Sequence, residues 1–337
     1  MRKSRIIRLC AALVLLAAAG AWAVWSYCHA EYSYEATRVE IPEGTPADSI
    51  PVIMRGALGN SFGGRTALLW RYLGGNPATS HGSYAVEPGD KVINVANRIA
   101  KGRQTPVRFT FNNLRRFSDL AARAGRIMEF DSAAFMGAAD SILAPEGFSP
   151  GQYSAAVLPD TYEFFWTASP QYVISRIYEH RKTFWTPERE AKAKALGLTP
   201  AEVHTVASIV EEETANREER PVIARLYLNR LDKNMMLQAD PTVKFALGDF
   251  SLRRITAAHT TVDSPYNTYR VTGLPPGPIR IAEAATIDGV LDAPEHEWLY
   301  MCANSDFSGT HVFAKDYARH RINAARYHRA LNARGIK

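Results

Sequence analysis

The sequence has 337 residues, 46% hydrophobic and 22% charged, which suits two modest folded domains or one large one and excludes a disordered chain. Its formal charge of +6 owes much to Arg2, Lys3, Arg5 and Arg8; without these four, 36 of the 40 basic residues face 34 acidic ones. No cluster of Lys and Arg remains to mark a nucleic-acid surface, so no nucleic-acid partner is expected.

From Leu9 to Tyr27 no residue is charged, a run of about 19 positions and close to the ~20 needed to cross a hydrocarbon core as a helix. Basic residues precede the run and Glu31 follows it. The positive-inside rule then keeps residues 1–8 cytoplasmic, makes 9–28 a transmembrane helix, and places the remainder outside the cytoplasm. Trp22, Trp25 and Tyr27 fall at the far end, where amphipathic rings favour the interface. A cleaved signal peptide, with Ala21 and Ala23 flanking Trp22, is the alternative, and it also exports the body. Cys10 and Cys28 belong to this segment. Cys302 is left with no partner for an internal disulfide and reads as a small core residue.

Alternation predicts a strand over 32–41, and Pro46 to Ile50 opens a helix. A second helix spans 65–73 and stops at Gly74-Gly75. A strand at 82–86, a helix at 91–101 closed by Gly102, and a strand at 107–111 follow. From Ser118 onward helices dominate. Residues 147–153 read as a turn-rich linker and 158–162 as a loop. Helices are predicted at 172–185 and 188–196, the latter capped by Gly197. Thr199-Pro-Ala-Glu202 is a capping box with Pro200 at the first helical position. The helix it opens runs from Glu202 to about Thr214.

That helix carries Glu211, Glu212 and Glu213. At about 100° per residue, Val203, Val206, Ala207, Val210 and Thr214 share one face. Glu212 is expected to face solvent and Glu211 to lie well off one flank. Glu213 falls about 60° from the apolar stripe, nearest the core. Burial raises a carboxyl's pKa, and a carboxyl protonated near neutrality can serve as a general acid. A solvated acidic helix end, or an ion pair with Arg217, Arg220 or Arg225, are the other readings of the same residues.

A second amphipathic helix spans Arg220 to Arg230. The polar stretch Met236-Leu-Gln238-Ala-Asp240-Pro-Thr242-Val breaks out of these helices and reads as a functional loop, although Pro241 also suits a simple turn. Tyr266-Asn267-Thr-Tyr269 offers stacking faces and an amide suited to a sugar, and Gly273-Leu-Pro-Pro-Gly-Pro-Ile279 is a rigid turn. No two histidines have H-E-x-x-H spacing, so a zinc enzyme is not expected.

Taken in order, Ala207-Ser-Ile-Val-Glu211-Glu-Glu213-Thr214, Glu219-Arg220, Tyr227-Leu-Asn229-Arg230-Leu, Met236 to Val243, Tyr266 to Tyr269, Gly273 to Ile279 and Gly309-Thr-His311-Val-Phe313 resemble the catalytic core of the endolytic murein transglycosylases, the YceG-like family. Gly147 to Tyr162 resembles the loop before that core, and the module around Gly82-Ser-Tyr84 its LysM-like part. The resemblance implies an α+β chain: a transmembrane helix, a small LysM-like module over 38–103, and a larger, mainly helical catalytic domain over 104–337. Residues 111–148 match poorly.

The family's E-x-E-T pattern makes its second glutamate catalytic, which carries over to Glu213. The implied reaction cuts the β-1,4 bond from MurNAc to GlcNAc inside a nascent glycan strand. The muramic 6-hydroxyl, not water, closes on C1 and leaves a 1,6-anhydro end, which would terminate elongation. One carboxyl can serve first as acid and then as base, whereas ordinary glycosidases need a pair. Gln238, Asp240, Tyr266, Asn267 and Tyr269 are the expected glycan-binding or orienting residues. Ala239 departs from the family, whose members carry a hydroxyl residue there. His311 either lines the cleft or is structural. No cofactor or metal is implied. The expected partners are peptidoglycan strands, the inner membrane and peptidoglycan synthases. A non-catalytic wall-binding scaffold, and a hydrolase pairing Glu213 with Asp240, remain alternatives.

Overall fold

The computed structural model describes residues 2–252 and 254–334, with side chains from Ile6 onward. Met1 of the basic segment and residues 335–337 of the expected catalytic domain lie outside this set. Helix α1 spans Arg2–Cys28, and its stretch Ile6–Cys28 is long and apolar enough to cross a membrane. The predicted span 9–28 falls within it. Leu13, Val14, Leu15, Leu16, Trp22 and Trp25 are exposed along it.

The chain divides into two compact units, the first comprising α1 and the residues up to Arg108 together with 127–129 and 163–168. In this first unit β1 (Thr37–Ile41) pairs antiparallel with β2 (Gly82–Val86), Val39 opposite Tyr84. Strand β1 is shorter than the predicted 32–41. Tyr32 is tied down separately, its N–H donating to Asp90 O and its carbonyl accepting from Gly89. Helices α2 (Ile50–Leu58), α3 (Asn60–Tyr72), α4 (Pro77–Ser80) and α5 (Val92–Ala100) surround the ribbon. Ile41, Met54, Trp70, Tyr84, Val95 and Ile99 form the unit's core. Helix α3 begins earlier than expected because it follows α2 almost without a break. The two cross closely at Gly63, where a Cβ would run into the Met54 carbonyl.

Strand β3 (Val107–Phe111) lies where alternation places it. Its partner is β4 (Asp160–Phe164), so the predicted 158–162 loop is in large part a strand. Between them lie α6 (Phe117–Ile127) and α7 (Ser132–Leu143). The predicted linker at 147–153 contains a 3-10 helix over Pro150–Ala156, with Ser149 and Gln152 forming a capping box and Tyr153 and Ser154 buried. The turn residues Ser149, Pro150 and Gly151 here open a helix.

In the second unit α8 (Pro170–Phe184) and α9 (Pro187–Ala195) precede α10 (Pro200–Glu213). The capping box forms as predicted: the Glu202 N–H donates to Thr199 Oγ1, and the Thr199 N–H to Glu202 Oε2 at 2.8 Å. Helix α11 spans Arg220–Asp232, α12 Asp240–Leu247 and α13 Ala284–Leu291. Strands β5 (Tyr300–Ala303) and β6 (His311–Ala314) pair antiparallel, and α14 (Tyr317–Ala333) packs against both. Helix α10 is central. Every residue from Val203 to Glu211 is buried, and α9, α11, α12, α13 and the 3-10 turn all touch it. Ile223, Leu226, Tyr227, Ile287 and Val290 complete the core around its Val203, Val206, Ile209 and Val210.

Candidate active site

The burial of α10 on all sides decides the fate of its three glutamates. Glu211 is fully buried. Its Oε1 accepts from the Thr286 hydroxyl at 2.7 Å and the Glu283 N–H at 2.9 Å, and its Oε2 lies 2.9 Å from Arg280 Nε. Arg220 Nη1 adds a fourth contact at 3.4 Å. Glu212 does not face solvent as the helical wheel suggests. It pairs with Arg280 at 3.0 Å and Arg115 at 3.1 Å. A one-sided apolar stripe is the wrong picture for a helix packed all round.

Of the three, Glu213 is the one without a cationic hydrogen-bond partner among the described residues. Arg217 pairs with Glu283, Arg220 with Glu211 and Glu283, and Arg225 with Asp232 and Glu295, so none of the three arginines open to Glu213 engages it. Its Oε1 instead accepts from Tyr227 Oη at 2.7 Å. Burial raises its carboxyl to about 7; the Tyr227 bond opposes the rise, and the nearby Asp240 charge adds to it. Glu213 is also the last residue of α10, whose final turn holds no basic residue. The negative end of the helix dipole works against ionisation there as well.

Glu213 lies in a cavity of about 270 Å³, shared with Tyr227, Arg230, Gln238, Asp240, Tyr269, His311 and the β5 residues Met301, Cys302 and Ala303. Gln238 and Asp240 are exposed and Tyr269 partly so. Tyr269 Oη donates to Asp240 Oδ1 at 2.6 Å, and burial holds the phenol well above its usual range. Asp240 opens α12 with Pro241 in the first turn, so the expected functional loop ends at Ala239.

Arg230 on α11 shapes this cavity from behind. It is buried, and donates through Nε to Leu299 O at 2.6 Å and through Nη1 to Leu237 O at 2.8 Å and Met236 O at 3.1 Å. It therefore ties the 236–238 loop to the approach to β5. Gln238 adopts φ 50°, a left-handed conformation that costs a side-chain-bearing residue about 1–2 kcal/mol. Its N–H donates to Thr268 O at 3.0 Å, which helps to hold it there. Ala239 offers no hydroxyl; its N–H donates to Thr268 Oγ1 at 3.0 Å, and Thr242 Oγ1 lies 2.8 Å from that hydroxyl.

Four of the six expected site residues, Glu213, Gln238, Asp240 and Tyr269, thus share one cavity. Tyr266 and Asn267 lie outside its lining. Tyr266 packs on Phe245, with ring centroids 4.8 Å apart. Asn267 is buried, donating to Val262 O at 2.7 Å and Thr260 O at 2.9 Å and accepting from the Tyr269 N–H. It shapes the loop that presents Tyr269. The rigid turn is fixed to α10, since the Ile279 N–H donates to Ser208 Oγ at 3.0 Å. Gly277 is required there because a Cβ would strike the Gly151 carbonyl. Tyr227 and Arg230 were present in the sequence motifs but carried no predicted role. Cys302 reaches the cavity wall rather than the core, and burial raises its thiol.

A carboxyl raised towards neutrality on the wall of a polar cleft, with a phenol and an arginine beside it, has the chemistry to exchange a proton there. No group of three or more His, Cys, Asp or Glu able to hold a metal occurs among the described residues. The sequence profile of the YceG-like family matches residues 39–326, and the chain belongs to that family. It is similar to the endolytic murein transglycosylase of Bacillus subtilis (strain 168), with 40% identity over 123 residues, 36% of this chain and 33% of that protein. The endolytic murein transglycosylase of Streptococcus pneumoniae (serotype 2, strain D39) is 34% identical over 138 residues, 40% of this chain and 25% of that protein. The chain therefore matches a third or less of the length of these relatives. The crystal structure of a yceG-like protein from Listeria monocytogenes shares the fold, with TM-score 0.58 and 24% identity over 86% of this chain and 98% of that one.

Proposed function

We propose that this protein is a membrane-anchored endolytic peptidoglycan lytic transglycosylase, with Glu213 as its catalytic acid. It cuts the β-1,4 bond from MurNAc to GlcNAc within nascent strands and leaves 1,6-anhydroMurNAc ends, so terminating elongation. The observation that carries this reading is the Glu213 carboxyl, raised to about 7 by burial at the end of α10 and, among the described residues, hydrogen-bonded only to a phenol. Such a group is half protonated near neutrality and can give a proton to the leaving oxygen. The relatives' names supply the substrate class.

Gln238, Asp240 and Tyr269 contact the glycan, while Tyr266 and Asn267 keep their wall in shape. Residues 38–103 act as the LysM-like glycan-binding module, and residues 104–337 carry the chemistry. Helix α1 holds the body on the periplasmic side of the inner membrane, within reach of emerging strands and of peptidoglycan synthases. The test is to digest purified glycan strands with the full chain and weigh the products. New ends lacking the mass of one water, absent with Glu213→Gln, support the reading. Hydrated reducing ends, or undiminished cleavage by Glu213→Gln, overturn it.

A further inference from the structure

Helix α1 passes into the first unit with almost no linker. It ends at Cys28. Two residues on, the Ala30 carbonyl already accepts from the Val92 N–H at 3.1 Å, and Glu31 bridges Lys91 through the backbone. Tyr32 follows, buried, with its N–H on Asp90 O at 2.9 Å and its ring centroid 5.1 Å from that of Phe62 on α3. From the other side Arg65 of α3 lays its guanidinium over the Tyr27 ring at 5.1 Å. The end of α1 and the start of the folded unit are therefore one fixed structure.

With α1 as a membrane span, the depth of this junction follows. Twenty helical residues rise about 30 Å, the thickness of the hydrocarbon core, so a helix with Arg8 at the inner boundary brings Cys28 to the outer one. The headgroup layer beyond is roughly 5–7 Å deep. At no more than about 3.5 Å per residue, Ala30 stays within about 7 Å of Cys28 and so within that layer. A cavity of about 140 Å³ opens beside Ala30, with Glu31, Ser33, Ser61 and Arg65 on its wall. These four side chains make no hydrogen bond or ion pair among the described residues, and Arg65 is held only by its stacking on Tyr27. Arg65 and Glu31 thus share a cavity without pairing.

The cavity is well below the ~300 Å³ at which pockets for drug-sized ligands begin, so it suits a small polar group. The arginine fork matches phosphate oxygens, and the two serine hydroxyls can add donors. The Glu31 carboxylate can only accept, which disfavours a second anion and suits an ammonium. We propose that this cavity holds the headgroup of an aminophospholipid of the extracytoplasmic leaflet, its phosphate on Arg65, Ser33 and Ser61 and its ammonium on Glu31. The inference rests on α1 being a retained membrane anchor. The acyl chains run back along the exposed apolar side of α1, past Trp25 and Trp22.

The experiment is to purify the full chain in detergent, add phosphatidylethanolamine or phosphatidylglycerol in turn, and measure bound lipid by native mass spectrometry. Wild type should hold phosphatidylethanolamine at least about tenfold more tightly than Arg65→Ala, which loses the charge-assisted phosphate contact. Arg65→Gln keeps a side chain to cover Tyr27 and serves if the alanine variant unfolds; it should lose as much. Glu31→Gln should lose the preference for the ethanolamine lipid over the glycerol lipid, by about three- to tenfold. Arg71→Ala removes an exposed arginine of the same helix that lies outside the cavity and should change nothing. Folded Arg65 variants that bind the lipid as wild type does overturn the assignment. So does an equal loss in Arg71→Ala, which would mark a general attraction to basic surface. Soluble phosphoethanolamine that binds as tightly as the lipid overturns it in favour of a free phosphate compound, and an unchanged preference in Glu31→Gln overturns the choice of headgroup. A chain stripped from membranes by alkaline carbonate, or a mature N-terminus beyond α1, would instead strike the anchor reading beneath it.

Discussion

Replacing Glu213 by glutamine should make the protein's stability less dependent on pH, in a direction fixed by the site. The folded protein holds the carboxyl at about 7 against an ordinary value of 4.5, with burial as the first cause. Between those values the native state binds more protons than the unfolded chain, so stability falls as pH rises. The penalty is absent below pH 4.5, grows between 4.5 and about 7, and is complete above it. Each pH unit is worth about 1.4 kcal/mol, so the full penalty approaches about 3 kcal/mol, less whatever cleft water recovers. Glutamine has the same shape, keeps an oxygen to accept from Tyr227, and never ionises. Urea unfolding of both proteins at pH 4.5 and pH 8 measures the difference. Glu213→Gln should gain about 2–3 kcal/mol on wild type over that interval. A gap that stays constant with pH would refute the idea of a protonated, desolvated Glu213, and with it the acid role.

Tyr227→Phe removes the bond that restrains the Glu213 carboxyl, so the pH at which activity is lost on the alkaline side should move up, read from a pH–rate profile. The same change should cost about 1 kcal/mol of stability. Glu211→Gln leaves Arg280 and Arg220 short of a buried counter-charge and should destabilise by about 3–5 kcal/mol, seen as a lower thermal midpoint. Asn267→Ala strips two part-buried carbonyls of their donor and should cost about 1–2 kcal/mol, again read as a fall in thermal midpoint.

Much of the fold was legible where the signal is local. The capping box at Thr199, the strand at 107–111 and the glycine that ends the helix before Leu198 depend on neighbours a few residues apart, and the structure places them as expected. Asp240-Pro241 carried a local signal too. Proline in the first turn marks a helix start as readily as a loop, and here it begins α12. Strand β4 was missed because its partner, β3, lies about fifty residues earlier. Nothing in Leu158-Pro-Asp-Thr-Tyr162 announces that pairing.

The site was legible only in part, for a similar reason. The helical wheel ranked Glu213 first by assuming that α10 has one buried face, yet α10 is enclosed on every side. What separates the three glutamates is which partners arrive. Arg280 and Thr286 come from about seventy residues downstream to bind Glu211, Arg115 comes from about a hundred residues upstream to meet Glu212, and among the described residues Tyr227 alone hydrogen-bonds Glu213. A cationic partner favours the ionised form, whereas a phenol in a dry setting leaves the proton largely where burial puts it. Two carboxylates bound to arginines, Glu211 buried and Glu212 half-buried, therefore hold the helix end in place. Their neighbour, one residue on, remains free to gain and lose a proton, and periodicity favoured that residue without the physical reason that sets its surroundings apart.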